Sequence, residues 1–111
     1  MTQARHPSTP EELMRSRYTA FTLDDIDYIK ATSAGNSREA MKEAKRDASH
    51  PKISWTGLEI VATKPGSNIL GFVEFIASYI QSGLPQILHE NSEFKKIKGR
   101  WFYTDGQILA S

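Results

Sequence analysis

The stretch NILGFVEFIASYIQ, residues 68 to 81, predicts one long β-strand, because its side chains alternate between two faces with a period of two. One face carries Gly71, Val73, Phe75, Ala77 and Tyr79. The other face carries Leu70, Phe72, Glu74, Ile76, Ser78 and Ile80. Both faces are rich in apolar side chains, so each of them is expected to be covered.

Three further strands are predicted around this one. Upstream, the alternation begins at Ile53 and slips its phase at Gly57, which predicts a bulge. After the slip, one face carries Leu58, Ile60 and Ala62. Downstream, a third strand reaches Ile97, and a Lys98-Gly99 turn leads to a last strand over residues 100–104. Strands joined by short turns predict an antiparallel meander.

The first half of the chain carries helix signals. Residues 8–12 combine a hydroxyl cap, a proline in the first turn and acidic residues, which predicts a helix running to about Thr22. Residues 23–26 repeat the pattern of an apolar residue before an acidic cap and open a short second helix to about Ala31. A capping-box pattern at residues 36–39 predicts a third, mostly solvated helix.

Length and composition favour one small domain. The chain has 111 residues, of which 39% are hydrophobic and 24% are charged, as in ordinary globular proteins. We therefore expect a flexible tail over residues 1–7 and a single α+β domain over residues 8–108. The net charge of +1 provides no global field that would attract nucleic acid or an anionic membrane.

The chain contains no cysteine, which excludes disulfides, thiolate nucleophiles and cysteine-based zinc sites. It shows neither a secretory pattern nor an apolar run of about twenty residues, so we expect a cytoplasmic protein with no membrane partner. The three histidines are scattered without the spacing of a metal site. Neither a metal nor another cofactor is expected.

Six segments resemble, in order, the middle domain of the YchJ-like family. They are TPEELMRSRYTAF at 9–21, DYIKAT at 27–32, WTGLEI at 55–60, GFVEFIA at 71–77, HENSEF at 89–94 and GRWFYTDG at 99–106. Together they span nearly the whole chain. The resemblance implies a nuclear transport factor 2-like (cystatin-like) cone, in which N-terminal helices pack on a curved antiparallel four-stranded sheet. The order of helices before strands agrees with this fold.

In that family, zinc-binding SEC-C motifs rich in cysteine usually flank the middle domain. Because this chain has no cysteine, the resemblance brings no zinc-linked role to it. What it supplies is a fold, without a reaction or a ligand.

Arg17 and Glu90 are the candidate polar pair of the interior. Arg17 falls within the apolar stripe of the first helix, and Glu90 shares a strand face with Leu88, Ser92 and Phe94. A buried guanidinium needs a counter-charge, so a structural ion pair is expected. Alternatively, the two form the polar floor of a ligand pocket. That candidate pocket consists of Arg17, Tyr18, Glu90, Ser92, Trp101 and Tyr103.

Catalysis is the less favoured interpretation. Glu90 is the one good candidate for a base in an apolar cavity, and a neighbouring Arg17 favours its ionised form, which weakens it as a proton acceptor. His89 alternates with Glu90 and is expected to point outward as an ordinary solvated side chain. No catalytic residue is therefore proposed from the sequence.

The second face of the long strand carries a candidate interface, formed by Leu70, Phe72, Ile76 and Ile80. A homodimer that pairs two such faces is the simplest cover for them. Glu74 lies within this face and is expected to find a partner there, either Arg100 or a lysine.

Residues 95–100 form a basic hairpin beside three aromatic residues, a combination found in single-stranded nucleic acid binders. Lysines at a hairpin tip more often keep a sheet edge from pairing with other chains, so nucleic acid is not the expected partner.

Two hypotheses of function follow from the sequence. The first is a non-enzymatic binding or interaction module that forms a dimer. The alternative is a small-molecule-binding or lyase/isomerase-like domain that uses the polar cavity around Arg17 and Glu90.

Overall fold

A computed structural model describes residues 7–35 and 53–109. Two helices precede four strands. They are α1 (Pro10–Thr22), α2 (Ile26–Ala31), β1 (Ile53–Pro65), β2 (Leu70–Gln81), β3 (Leu84–Ile97) and β4 (Arg100–Ile108). The third helix predicted from residue 36 and nearly all of the predicted tail lie outside the described residues. The last strand runs four residues further than its alternation indicated.

The strands form one antiparallel sheet in the order β1-β2-β3-β4, as predicted for a meander. Between Trp55 and Gly57 the register shifts, which confirms the predicted bulge. A second shift between Ile60 and Ala62 was not predicted. Because of it, Ala62 pairs with Glu74 and lies on the opposite face from Ile60, so the predicted face of Ala62 was wrong.

The turn between β3 and β4 has positive φ at both of its central residues, 51° at Lys98 and 82° at Gly99. This geometry suits the right-handed twist of the flanking strands. The predicted Lys98-Gly99 turn is therefore confirmed.

Helix α1 begins as its sequence indicated. The Thr9 side chain accepts a hydrogen bond from the backbone N–H of Glu12 at 3.1 Å, and Pro10 occupies the first turn. A Cβ at Gly71 would lie only 2.8 Å from Cγ of Pro10, so the start of α1 packs directly on the backbone of β2.

The core lies between α1 and one face of the sheet, which we call the inner face. Its buried apolar residues are Leu13, Met14, Val73, Phe75, Ala77 and Phe94. The buried positions of α1 include Arg17, as the helical stripe predicted. Phe21 belongs to the same stripe but stays 40% exposed, because it lies in the last turn of the helix, where it contacts the Trp55 ring at 6.0 Å.

Candidate functional site

Arg17 points into the domain and is 5% exposed. Its Nη1 donates to three oxygens at the end of α2 and just beyond it: the Ile29 carbonyl at 3.1 Å, Thr32 Oγ1 at 2.7 Å and Ser33 Oγ at 3.0 Å. Carbonyl oxygens at a helix C-terminus carry partial negative charge, which favours a cation there. The guanidinium therefore anchors α2 to α1.

Tyr103 joins this anchor to the sheet. The Arg17 Cζ atom lies 4.5 Å from the centroid of the Tyr103 ring, within the range of a cation–π interaction. The backbone of Tyr103 exchanges hydrogen bonds with the segment after α2, accepting from the Ala34 N–H at 2.9 Å and donating to the Thr32 carbonyl at 2.8 Å. The residues around Arg17 are thus held by β4 as well as by α2.

Glu90 lies on the other side of this network. One of its carboxylate oxygens, Oε2, accepts from Ser92 Oγ at 2.6 Å and from the Tyr103 hydroxyl at 2.8 Å. Glu90 and Ser92 are both buried, on the inner face of β3. Short hydroxyl bonds to a carboxylate are among the stronger hydrogen bonds in proteins. We call Arg17, Tyr103, Glu90 and Ser92 the polar network.

The direct ion pair expected between Arg17 and Glu90 is not found: no ion pair within 4.0 Å joins the two side chains in the described part of the chain. The physical reason is that each charged group forms hydrogen bonds with neutral groups instead. Two hydroxyls donate to Oε2 of Glu90, three neutral oxygens accept from Nη1 of Arg17, and Tyr103 contacts both residues. The two charges interact through this intermediate.

Arg17 and Tyr103 both keep their protons near neutral pH. Burial lowers the pKa of Arg17 to about 10, against the opposing effects of Tyr103 and Glu90, so the guanidinium stays charged. Burial also raises the pKa of Tyr103 far above its usual range, and the Glu90 charge adds to this effect. Tyr103 therefore keeps its proton and remains a hydrogen-bond donor.

Gly106 makes room for the network. A Cβ at this position would lie 2.7 Å from Cδ of Glu90 and would overlap the Tyr103 hydroxyl. Gly106 pairs with Ser92 across the sheet, directly beneath the bond between Tyr103 and Glu90. Gly106 was not among the residues predicted for the site. A glycine inside a strand was the available signal, since it often marks a close approach.

The six predicted pocket residues do not all meet. Arg17, Glu90, Ser92 and Tyr103 form the polar network, as described above. Tyr18 instead packs edge-on against Trp55 with ring centroids 5.9 Å apart. Trp101 donates through Nε1 to the Ser8 carbonyl at 3.2 Å, near the start of α1.

Two of the surface cavities lined by described residues lie away from Arg17 and Glu90, and neither side chain is part of their walls. The larger, of about 270 Å³, lies between the start of α1 and the end of β1, with Pro10, Leu70 and Trp101 in its wall. The smaller, of about 130 Å³, lies over β3 and β4.

The opposite side of the sheet, which we call the outer face, has a charged centre. His89 Nε2 lies 2.7 Å from Glu74 Oε2, and Lys64 Nζ lies 3.7 Å from Glu74 Oε1. Glu74 thus has a lysine partner, as expected, but within its own chain. His89 points outward as predicted, yet it is partly buried against Glu74 instead of freely solvated.

We expect His89→Leu, which has no hydrogen-bond donor, to raise the pKa of Glu74 towards its ordinary value. The hydrogen bond from His89 is the largest cause of the lowered Glu74 pKa, ahead of burial, which opposes it, and of the Lys64 charge. A carboxyl NMR titration measures the shift, and Lys64→Met should raise the pKa less. Because the folded pKa is the lower one, Glu74 stabilises the fold above its unfolded pKa and loses this effect as pH falls through the folded value. An unchanged Glu74 pKa in His89→Leu would contradict the geometry.

The basic hairpin uses its aromatic residues within the chain. The Lys96 ammonium lies 5.9 Å from the Trp101 ring, and the Arg100 guanidinium lies 5.6 Å from the Phe102 ring. These contacts occupy the side chains that base stacking would need.

Within residues 7–35 and 53–109, no three acidic or histidine side chains converge in a way that could hold a metal ion. No helix in those ranges is long and apolar enough to cross a bilayer.

Two helices packed on the inner face of an open, four-stranded antiparallel sheet define the class of nuclear transport factor 2-like domains. The family model described as "YchJ, middle NTF2-like domain" matches residues 9–106. The chain belongs to this YchJ-like family.

The chain is similar to UPF0225 proteins. It is 43% identical over 108 residues to one from Geobacter sulfurreducens, covering 96% of this chain and 67% of the relative. It is 42% identical over 104 residues to another from Actinobacillus succinogenes, covering 92% and 67%. The chain thus spans about two thirds of the length of these relatives.

Solved structures show the same fold. The solution structure of a SEC-C motif-containing protein from Rhodopseudomonas palustris has a TM-score of 0.80 at 32% identity, with 97% of this chain and 84% of that chain covered. The crystal structure of a SEC-C motif-containing protein from Psychrobacter arcticus has a TM-score of 0.74 at 34% identity, with coverage of 99% and 66%. The intermembrane space region of the chloroplast protein ARC6 has a TM-score of 0.71 at 17% identity, with coverage of 96% and 99%, and is similar in fold alone.

Proposed function

We propose that this domain is a non-enzymatic interaction module that forms a homodimer through the outer face of its sheet. The observation that carries this proposal is the apolar surface of that face. Leu70, Phe72, Ile76 and Ile80 of β2 lie on it, and Ile87 of β3 pairs with Ser78 on the same side. Ile80 is 40% exposed and Ile87 is 63% exposed.

Both described helices leave this surface open. Helix α1 packs its buried side chains against Val73, Phe75 and Ala77, which point to the inner face. Alternation then directs Phe72 and Ile76 away from the helices. Apolar area of this kind on a domain is typical of a surface that binds another protein.

A second copy is the occupant that the charges favour. The register places both signs on the outer face: Glu59, Glu74, Glu93 and Asp105 with Lys64, Lys95 and the imidazole of His89. In a twofold interface the same surface of each chain contacts the other. A face with both charge signs and an apolar ridge can therefore complement itself.

Sedimentation equilibrium tests the dimer. We expect a mass near 25 kDa, twice the 12.5 kDa of the chain. Ile80→Arg and Ile87→Arg should each raise the dimer Kd about tenfold or more, because each places an unpaired charge in the interface. Both side chains are exposed in the single chain, so these variants should keep their fold. Leu23→Arg is the matched control, since Leu23 is equally exposed but follows α1.

A chain that sediments as a monomer at millimolar concentration would overturn the dimer proposal. So would equal weakening by Leu23→Arg and Ile87→Arg. If residues 36–52 of the same chain cover the face instead, a variant with that segment deleted should form a dimer that the full chain does not form.

The second candidate function is a small-molecule-binding or lyase/isomerase-like domain built on Arg17 and Glu90. One observation favours binding there: among the described residues, neither Nε nor Nη2 of Arg17 donates a hydrogen bond to an acceptor. The catalytic version is disfavoured because Arg17 and Tyr103 both keep their protons near neutral pH. A cytoplasmic location and the absence of a nucleic acid partner remain predictions.

A further inference from the structure

Arg17 is a buried cation with an unused edge. All three of its hydrogen bonds come from Nη1, and neither Nε nor Nη2 donates to an acceptor among the described residues. Neither atom is fully enclosed, since Asn91 Oδ1 is the sole side-chain atom in the described ranges that is both buried and unpaired. A guanidinium that is 5% exposed and contacts no carboxylate is energetically costly.

Glu90 has an acceptor oxygen, Oε1, that could complement the unused donors of Arg17. Both of its hydroxyl partners bond to Oε2, and Oε1 accepts no hydrogen bond from the part of the chain that the structure describes. Tyr103 contacts both Arg17 and Glu90. An unused donor edge and an unused acceptor oxygen therefore lie at one aromatic ring.

We propose that a small carboxylate binds the Nε–Nη2 edge of Arg17, with a hydroxyl or amino group on its α-carbon donating to Glu90 Oε1. Two parallel N–H groups match the two oxygens of a carboxylate. The carboxylate of Glu90 disfavours a dianion such as phosphate, and it favours a ligand that also brings a donor. This inference is independent of the dimer and names a ligand class for the second candidate function.

The packing limits the size of the ligand. Arg17 is 5% exposed and Glu90 is 8% exposed, so the site suits a molecule of a few heavy atoms. Access is expected past Phe21, whose half-exposed ring lies 6.0 Å from the Arg17 Cζ atom. Glycolate and glycine carry the two required groups at this size, whereas acetate carries the carboxylate alone.

An NMR titration that follows the Arg17 Nε–Hε signal tests this site. We expect glycolate or glycine to shift the signal saturably with a millimolar Kd, acetate to bind several-fold more weakly, and neutral glycolamide to leave it unmoved. The Arg15 Nε signal is the internal control, because Arg15 binds Glu11 on the surface at 3.0 Å. Glycolate and glycine together decide whether the donor is a hydroxyl or an ammonium group.

Variants separate a site from an effect of salt. Glu90→Gln should remove the advantage of glycolate and glycine over acetate. Arg17→Met should abolish the shifts at the Tyr103 amide while keeping the cooperative unfolding of a folded chain. Equal shifts of Arg15 and Arg17, the same shift with sodium chloride, or no shift at about 100 mM ligand would overturn the proposal. These results leave sedimentation unaffected, so the two proposals fail separately.

Discussion

Arg17→Ala is expected to lower the free energy of unfolding by about 3 kcal/mol, whereas Arg17→Met should change it by less than about 1 kcal/mol. Alanine leaves a cavity between α1, α2 and Tyr103, and such cavities in cores typically cost about 2 to 5 kcal/mol. Methionine fills the space of the arginine stem without the charge.

The lowered pKa explains why losing the charge is tolerated. Burial lowers the pKa of Arg17 to about 10, so below pH 10 the folded chain holds the charged guanidinium less favourably than the unfolded chain does. Methionine removes this penalty along with the hydrogen bonds to Ile29, Thr32 and Ser33, and the two effects nearly cancel. Thr32 Oγ1 and Ser33 Oγ keep their own bonds to backbone carbonyls.

Urea unfolding of both variants at neutral pH measures the difference. Equal destabilisation by alanine and methionine would show that the charge itself holds the fold. It would contradict the expectation that Arg17 stabilises the fold mainly by filling space, with its hydrogen bonds offset by the burial of its charge.

Gly106→Ala is the second large effect, with an expected loss of about 3 kcal/mol. The added methyl group would overlap the Tyr103 hydroxyl and lie 2.7 Å from Cδ of Glu90. Either Tyr103 or Glu90 must move, which breaks their bond and leaves a buried carboxylate with one donor fewer.

Gly57→Ala is the matched control, because a Cβ there meets no atom within 4 Å. Alanine in a strand is intrinsically favoured over glycine, so this variant should be neutral or slightly stabilising. Adding Tyr103→Phe to Gly106→Ala should recover part of the loss by removing the overlapping hydroxyl. Similar melting temperatures for the Gly57 and Gly106 variants would contradict the close packing.

Periodicity was enough to predict the sheet. A period of two identified the strands, and the phase slip at Gly57 located one of the bulges in β1. The second bulge, before Ala62, occurs without a glycine, and nothing in the local pattern distinguishes it. The family resemblance added the cone to this pattern and was confirmed by the match over residues 9–106.

Pairing inside the domain was harder to predict than orientation. The apolar stripe of α1 correctly predicted that Arg17 points inward, and strand alternation correctly predicted the same of Glu90. Neither pattern gives the distance between the two side chains. The ion pair was predicted only because a buried charge usually needs an opposite charge nearby. Instead, hydroxyl groups from Thr32 and Ser33 bind Arg17, and the hydroxyl group of Tyr103 binds Glu90. The positions of these groups depend on how the segment after α2 pairs with β4.

The outer face shows the same limit. His89 was expected in solvent because alternation gives its face but not its neighbours. The register places it opposite Ile76, one step diagonal from Glu74, and that offset allows their 2.7 Å contact. Only a known strand register predicts such a diagonal pair.

The most direct test of the proposed interaction surface is an isotope-filtered NOE measurement on an equal mixture of labelled and unlabelled chains. We expect contacts between chains at the methyl groups of Ile76, Ile80 and Ile87. If these methyl groups contact only their own chain, for example residues 36–52, or if contacts between chains arise solely around α1, the outer face is not the dimer interface.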